Sequence, residues 1–288
     1  ARVIEEMPHP VGRYQFTHAL IQETLSGELS TTRKVRLNAR IAETLEELYE
    51  DDAEGHFAEL AYRFNEAQTV LGTDRSVRYS LLAGERAVVA FAWEEANSHF
   101  QRGLTARGIP LNGSEPAEDK ESAELLAGFG RTRAATGHQL ELPEAVGTLA
   151  RALDYFIEVG YVERAVALAE VPVFSLAMLD TGIATLISRV LSLVAPDSHA
   201  AGRLLARYGN VLGLEIGDYS GAQRAIESTL AIAQREQGTG LEMRILADAT
   251  RVERYNLRFD EMLKKALRAL GLSAGSDALR VQVMAEGE

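Results

Sequence analysis

The side chains best suited by type to acid–base or metal chemistry are six histidines, His9, His18, His56, His99, His138 and His199, and their spacing supports neither role. No His-x-x-x-His pair and no His-Glu-x-x-His occurs, so a zinc site would have to be assembled from distant segments. The four lysines, Lys34, Lys120, Lys264 and Lys265, never follow a glycine, which leaves no Gly-Lys-Ser/Thr phosphate loop. Gly128-Phe129-Gly130 and Gly238-Thr239-Gly240 lack the third glycine of a dinucleotide fingerprint and sit in helical patterns, where helix packing or capping explains them better. No Gly-x-Ser-x-Gly elbow is present. The carboxylates, such as Glu43, Glu46 and Glu47, lie on amphipathic patterns and read as solvated faces. The chain itself is therefore expected to be non-catalytic, with no metal and no cofactor of its own.

Composition narrows the partners. A formal charge of -12 and a pI near 5.1 disfavour an extended nucleic-acid surface, which needs Lys and Arg to neutralise phosphates. With no cysteine there can be no disulfide or thiolate metal site, a usage that suits a cytoplasmic protein. No apolar run approaches the roughly 18 residues of a membrane helix, and the first residues do not form a signal peptide. The chain starts without Met and ends within a new amphipathic pattern from Ala278, so both ends are expected to be cut from a longer protein.

The elements that must position any site are helices. Pro8, Pro10 and Gly12 punctuate the start and set off 12–16 as one strand of a hairpin. Ile21, Leu25 and Leu29 then recur every four residues, as do Leu37, Ile41 and Leu45, with Leu48 following, which predicts two amphipathic helices. Phe57, Leu60, Ala61 and Phe64 predict a third.

From about residue 76 the pattern repeats. With Gly84 at the eighth position of a unit of about 34 residues, Ala83, Ala87, Trp93, Ala96, Phe100 and Gly103 fall on tetratricopeptide-type signature positions, where two antiparallel helices touch. Weaker copies follow at Gly130 and Gly137 with Ala145, Leu149 and Ala152; at 205–226 around Gly217-Asp218-Tyr219; and at Phe259 to Ala269. A degenerate unit occupies 160–196. Residues 108–120 form the expected exposed loop. The expected fold is all-α, a tetratricopeptide-like α-α superhelix with a short β-hairpin at the N-terminus.

In this register the groove-facing positions of the first helices include Arg131, Arg207, Arg244, Arg251 and Arg254. Arginines gathered in the groove of an acidic chain favour an anionic partner, such as an acidic peptide or a small carboxylate or phosphate effector. The competing expectation is that they pair with Glu227, Glu242 or Glu253 on adjacent turns. Trp93 and Phe100 are expected to pack in the core of the first repeat.

The run Tyr14-x-Phe16-x-His18-Ala19-Leu20-Ile21-x-Glu23, continued by Leu25, Leu29, Arg33, Arg36-Leu37 and Arg40-Ile41-Ala42-Glu43, resembles the end of the winged-helix module of bacterial STAND-class signalling ATPases. These include LuxR-type regulators and cyclase-associated ATPases with tetratricopeptide repeats. The resemblance implies a boundary near residue 50, with 1–50 closing a winged helix and 51–288 forming the repeat domain. It also implies that His18, within Phe16-Thr17-His18-Ala19-Leu20, contacts nucleotide phosphate in the intact parent, where ATP or ADP binds upstream. A helix start would assist such a contact with dipole and free N–H groups; the alternative is that His18 packs or hydrogen-bonds there. Arg33, Lys34 and Arg36 are expected to form an exposed turn paired with nearby glutamates. The implied function is a sensor and protein-interaction segment coupled to an upstream nucleotide switch. The alternatives are a plain scaffold and an accessory region of a nucleotide cyclase or kinase whose catalytic domain lies elsewhere.

Overall fold

A computed structural model of the chain describes residues 3–6, 14–49, 53–173, 179–236 and 238–273. The expected hairpin joins β1 (Ile4–Glu6) and β2 (Tyr14–Phe16), antiparallel, with Ile4 opposite Phe16. The Pro8 to Gly12 punctuation and the pattern from Ala278 lie outside the described residues.

Helices make up the rest. Before the clean repeat come α1 (Ala19–Gly27), α2 (Thr31–Leu48), α3 (Phe57–Glu66) and the single turn α4 (Gln68–Leu71). Hairpins follow in order: α5 (Asp74–Val89) with α6 (Trp93–Ala106), α7 (Lys120–Thr136) with α8 (Leu142–Glu158), α9 (Val162–Ala169) with α10 (Ile183–Leu191), α11 (His199–Val211) with α12 (Tyr219–Glu236), and α13 (Thr239–Tyr255) with α14 (Phe259–Ser273). First helices also touch along the stack, α5 on α7 and α11 on α9 and α13. The fold is an all-α array of helical hairpins. Among the described residues no helix is long and apolar enough to cross a membrane.

The proposed register is visible in the packing. Gly84 of α5 and Gly128 of α7 both face the fully buried Phe100 ring of α6, and a Cβ on either would stand 2.6 Å or 2.4 Å from it. Gly103 presses on Leu125, and Gly130 on Leu149, in the same way. The Gly128 and Gly130 pair is thus a helix-packing feature. Trp93 departs from expectation: it is only half-buried and meets the exposed Phe91 edge-on, because it opens α6 at the hairpin turn, where little of the next hairpin covers it.

Four helix ends share one backbone solution. Phe91, Gly108, Gly160 and Leu257 all have φ between 58° and 73°. The following amide in each case donates back five residues, to Ala87, Leu104, Phe156 and Glu253. This left-handed cap satisfies carbonyls that the helix end leaves open.

The apolar stripes of α1 and α2 are covered less than their spacing predicts, while the 108–120 loop is exposed as expected. The buried side of α2 is Ala39 and Ala42, whereas Leu37 and Leu48 are exposed, because α2 meets α3 and α5 through its small residues. The α1 stripe is likewise uncovered, with Leu25 exposed and no residue of the helix buried. Tyr79 of α5 ties α2 down, its hydroxyl donating to Glu46 at 2.8 Å; burial and this bond push its pKa up to about 12. The 108–120 loop, although exposed at its tip, is pinned by the buried Arg151 of α8, which donates to the carbonyls of Glu115 (2.7 Å) and Pro110 (2.9 Å).

Two stability predictions follow from the first hairpin. Phe100→Ala removes the ring from a slot that two glycines cannot refill, and should lower unfolding free energy in urea by about 3–5 kcal/mol. His99, buried beside it, accepts at Nδ1 from Arg102 (3.0 Å). Burial and then Arg102 hold its pKa below the usual value, against Glu95. The neutral ring favoured in the folded state stabilises it above about pH 6.5, and that stability is lost as pH falls toward the lowered folded value. The urea midpoint should therefore drop more between pH 7.5 and pH 5 in the native chain than in His99→Gln.

Candidate functional site

One concavity among the described residues lies on the side of the first helices. Its cavity, about 610 Å³, is walled by Ala134 and Ala135 at the end of α7, by Glu170, Pro172 and Val173 after α9, and by residues of α11 and α13. The helical period brings Arg203, Arg207 and Asn210 to one face of α11, and Arg244, Asp248 and Arg251 to one face of α13. These two helices pack directly on each other, so their polar faces form one rim. Four guanidinium groups and two carboxylates line the space.

Pairing inside it is incomplete. Arg203 Nε lies 2.7 Å from Glu170 Oε1, and Arg251 donates to Asp248 Oδ1 at 2.5 Å. Asn210 donates weakly to the same carboxylate oxygen, at 3.4 Å. Arg244 is exposed and makes no ion pair among the described residues. Arg207 is the unusual member: its Nη2 is buried and has no hydrogen-bond partner. Burial lowers its pKa to about 10, against the raising influence of Asp248, Glu215 and Glu170, so it stays charged at neutral pH. Removing a charge from water without hydrogen-bonding it is costly.

The backbone beneath the site is irregular. α11 runs into a π-helical turn at Leu212–Ile216, ended by Gly217 in the left-handed region. Glu215 on that turn is buried, its Oε2 accepting from the Thr181 amide (3.0 Å) and hydroxyl (2.8 Å), while Oε1 has no partner. Buried polar atoms left open on both Arg207 and Glu215 mark this as the least satisfied polar region of the described residues that line or underlie the cavity.

Of the five arginines singled out in the sequence, three share this cavity: Arg207, Arg244 and Arg251. Arg131 does not; it donates to Glu85 at 2.7 Å beside a separate small pocket. Arg254 is exposed and outside the cavity, because three residues beyond Arg251 carries it about 60° round α13. The pairing expected with Glu227, Glu242 or Glu253 does not form. Glu242 serves Arg268, and the fully buried Glu253 serves Lys265, Tyr219 and Gln223. Arg203 was missed in the sequence; its position four before Arg207 on one helical face was the available signal.

His18 stands at the N-cap of α1, exposed, in extended backbone (φ -150°, ψ 132°). Its carbonyl accepts from the amides of Ile21 and Gln22, and its imidazole makes no cap hydrogen bond. Arg33, Lys34 and Arg36 are exposed in the first turns of α2 and form no ion pair among the described residues, so the expected pairing with glutamates is corrected. They lie far in sequence from the cavity. Among the described residues no three His, Asp or Glu side chains are grouped to hold a metal ion.

The orphaned guanidinium makes a stability prediction. Arg207→Met keeps the packing of the stem and removes an unsatisfied buried charge, so it should change unfolding free energy by no more than about 1 kcal/mol, or raise it. A loss above about 2 kcal/mol in urea would identify Arg207 as a structural anchor instead. No protein-family model matches the chain, and a comparison with curated proteins found no match.

Proposed function

We propose that this chain is the non-catalytic sensor and interaction segment of a multidomain signal-transduction ATPase, in which a ligand or partner on the first-helix side of the repeats biases an upstream nucleotide switch. The observation that carries the sensing part is the cavity lined by Arg203, Arg207, Arg244 and Arg251, with one guanidinium nitrogen buried and unpaired. A chain of formal charge -12 that concentrates cations in one concavity has a surface suited to an anionic partner.

Coupling to a switch rests on the N-terminal side and on the resemblance of residues 14–48 to the end of a STAND winged helix. Ala42 and Leu45 of α2 share a core cluster with Leu60, Phe64 and Tyr79, so α2 is a rigid lever seated on the repeats. At the far end of that region His18 presents a free imidazole at a helix start, the geometry in which it could donate to a phosphate of ATP or ADP held by the parent. In this reading α2 supplies the packed part of the link, and α1, uncovered here, is the part that the parent's upstream residues would seat.

The reading is tested in two steps. Calorimetric titration of the 288-residue chain with Mg-ATP and Mg-ADP should give no binding, because one imidazole without a phosphate loop is not a site; micromolar affinity would overturn the non-catalytic assignment. In the protein including its upstream coding sequence, His18→Ala should speed ADP release by about tenfold, the effect of losing one charge-assisted hydrogen bond. Unchanged release would remove the switch and leave a scaffold.

A further inference from the structure

We infer that the cavity between α7, α11 and α13 is a binding site for a small amphiphilic oxyanion, its carboxylate or phosphate received by Arg207 and Arg244 and its apolar part lying on Ala134, Ala135, Pro172 and Val173. The inference deepens the sensor reading and rests on it for its biological meaning, but not for its chemistry. A volume of about 610 Å³ falls within the range of small-molecule sites.

The two walls differ in kind. One is built from alanine, proline and valine side chains with no polar atom of their own; the other carries arginines and Asn210. The carboxylates that line the cavity are ion-paired, while Glu215 beneath it keeps Oε1 open. Asp248 is bonded to Arg251 and Asn210, Glu170 is paired with Arg203, and the Oε2 of Glu215 is bonded to Thr181. Arg207 Nη2 is thus left with a donor and no acceptor in a buried position. A guanidinium forks naturally onto the two oxygens of a carboxylate or phosphate, and an oxyanion entering here would satisfy that donor. Arg244, exposed and without an ion pair among the described residues, is placed to steer the anion inward.

Extent argues for a small ligand over an acidic protein segment. The cations that line the space are confined to α11 and α13; Arg131 is neutralised by Glu85 and Arg254 lies outside. A peptide would need the positive stripe to continue along successive first helices.

The test titrates the whole chain with phenyl phosphate, benzoate and inorganic phosphate, following amide shifts by NMR. Phenyl phosphate or benzoate should bind at one saturable site with a Kd of about 1 mM or tighter, and inorganic phosphate about tenfold more weakly. Whichever aromatic anion binds better names the headgroup. Arg244→Ala, exposed and not needed for folding, should weaken binding about fivefold, and Arg207→Met about tenfold or more, whereas Arg254→Ala should match the native chain. The proposal is overturned by an absence of saturation, by equal affinity for inorganic and phenyl phosphate, or by Arg244→Ala behaving like Arg254→Ala. An acidic octapeptide that binds tenfold more tightly than phenyl phosphate would also overturn it, in favour of a protein partner. These failures would remove the cavity as the sensing surface but leave the coupling to a nucleotide switch standing, which falls separately if ADP release ignores His18.

Discussion

The ring of Phe100 lies in a slot that exists only because α5 and α7 carry glycine, Gly84 and Gly128, where they cross it. A methyl group on either would sit inside van der Waals contact with the ring, and the surrounding core, close-packed like an organic crystal, has no room to yield. The slot joins the first hairpin to the second. Once α7 is set against α5 and α6, its other glycine, Gly130, seats Leu149 of α8 by the same close approach. The core cluster that begins at Val77 then continues through α8, α9 and α10 to Leu204 and Val211 of α11. The direction in which first helices face is therefore inherited along the stack from these small-residue contacts.

That inheritance creates the cavity and its unsatisfied charge. Each hairpin buries its apolar stripe against the next, which leaves the remaining face of every first helix looking toward a common side. On α11 and α13 that face is cationic. A core position would not tolerate Arg207 with an open donor, since a buried unpaired polar atom costs free energy that packing must offset. Two other buried charges among the described residues are well partnered. Glu253, fully buried, has Lys265, Tyr219 and Gln223 as partners, and Arg151 uses its guanidinium to hold two loop carbonyls. The contrast between these satisfied buried charges and Arg207 is what singles out this surface for the proposed anion site. The π-helical turn beneath it belongs to the same departure from regularity, and such turns recur at functional positions.

Much of this was legible in the residues alone, and the misses have identifiable causes. Helix existence, hairpin pairing and the roles of Gly84, Phe100, Gly103 and Gly128 follow from spacing, because a helix puts residues three and four apart on one face and small residues must stand where helices cross. Trp93, Leu37 and Leu48 are less covered than expected for one reason: periodicity reports that a side chain belongs to an apolar face, but not whether a neighbour covers it. The exposed loop at 108–120 is legible from its turn composition, whereas its anchor is not, because Arg151 lies 31 residues beyond its last residue.

Helical character, repetition, the lack of a phosphate loop and the recurrence of arginines on first helices are all written in the chain's residues. Those are properties of local spacing and residue type. Which arginines share a surface depends on how the helices pack. That packing gave Arg131 to Glu85, turned Arg254 away, drew Arg203 into the company of Arg207, Arg244 and Arg251, and left one nitrogen of Arg207 buried without a partner. Pairing of charges is a contest among neighbours brought together from distant segments. A sequence fixes the contestants, while the distances that settle the outcome exist only after the helices have packed.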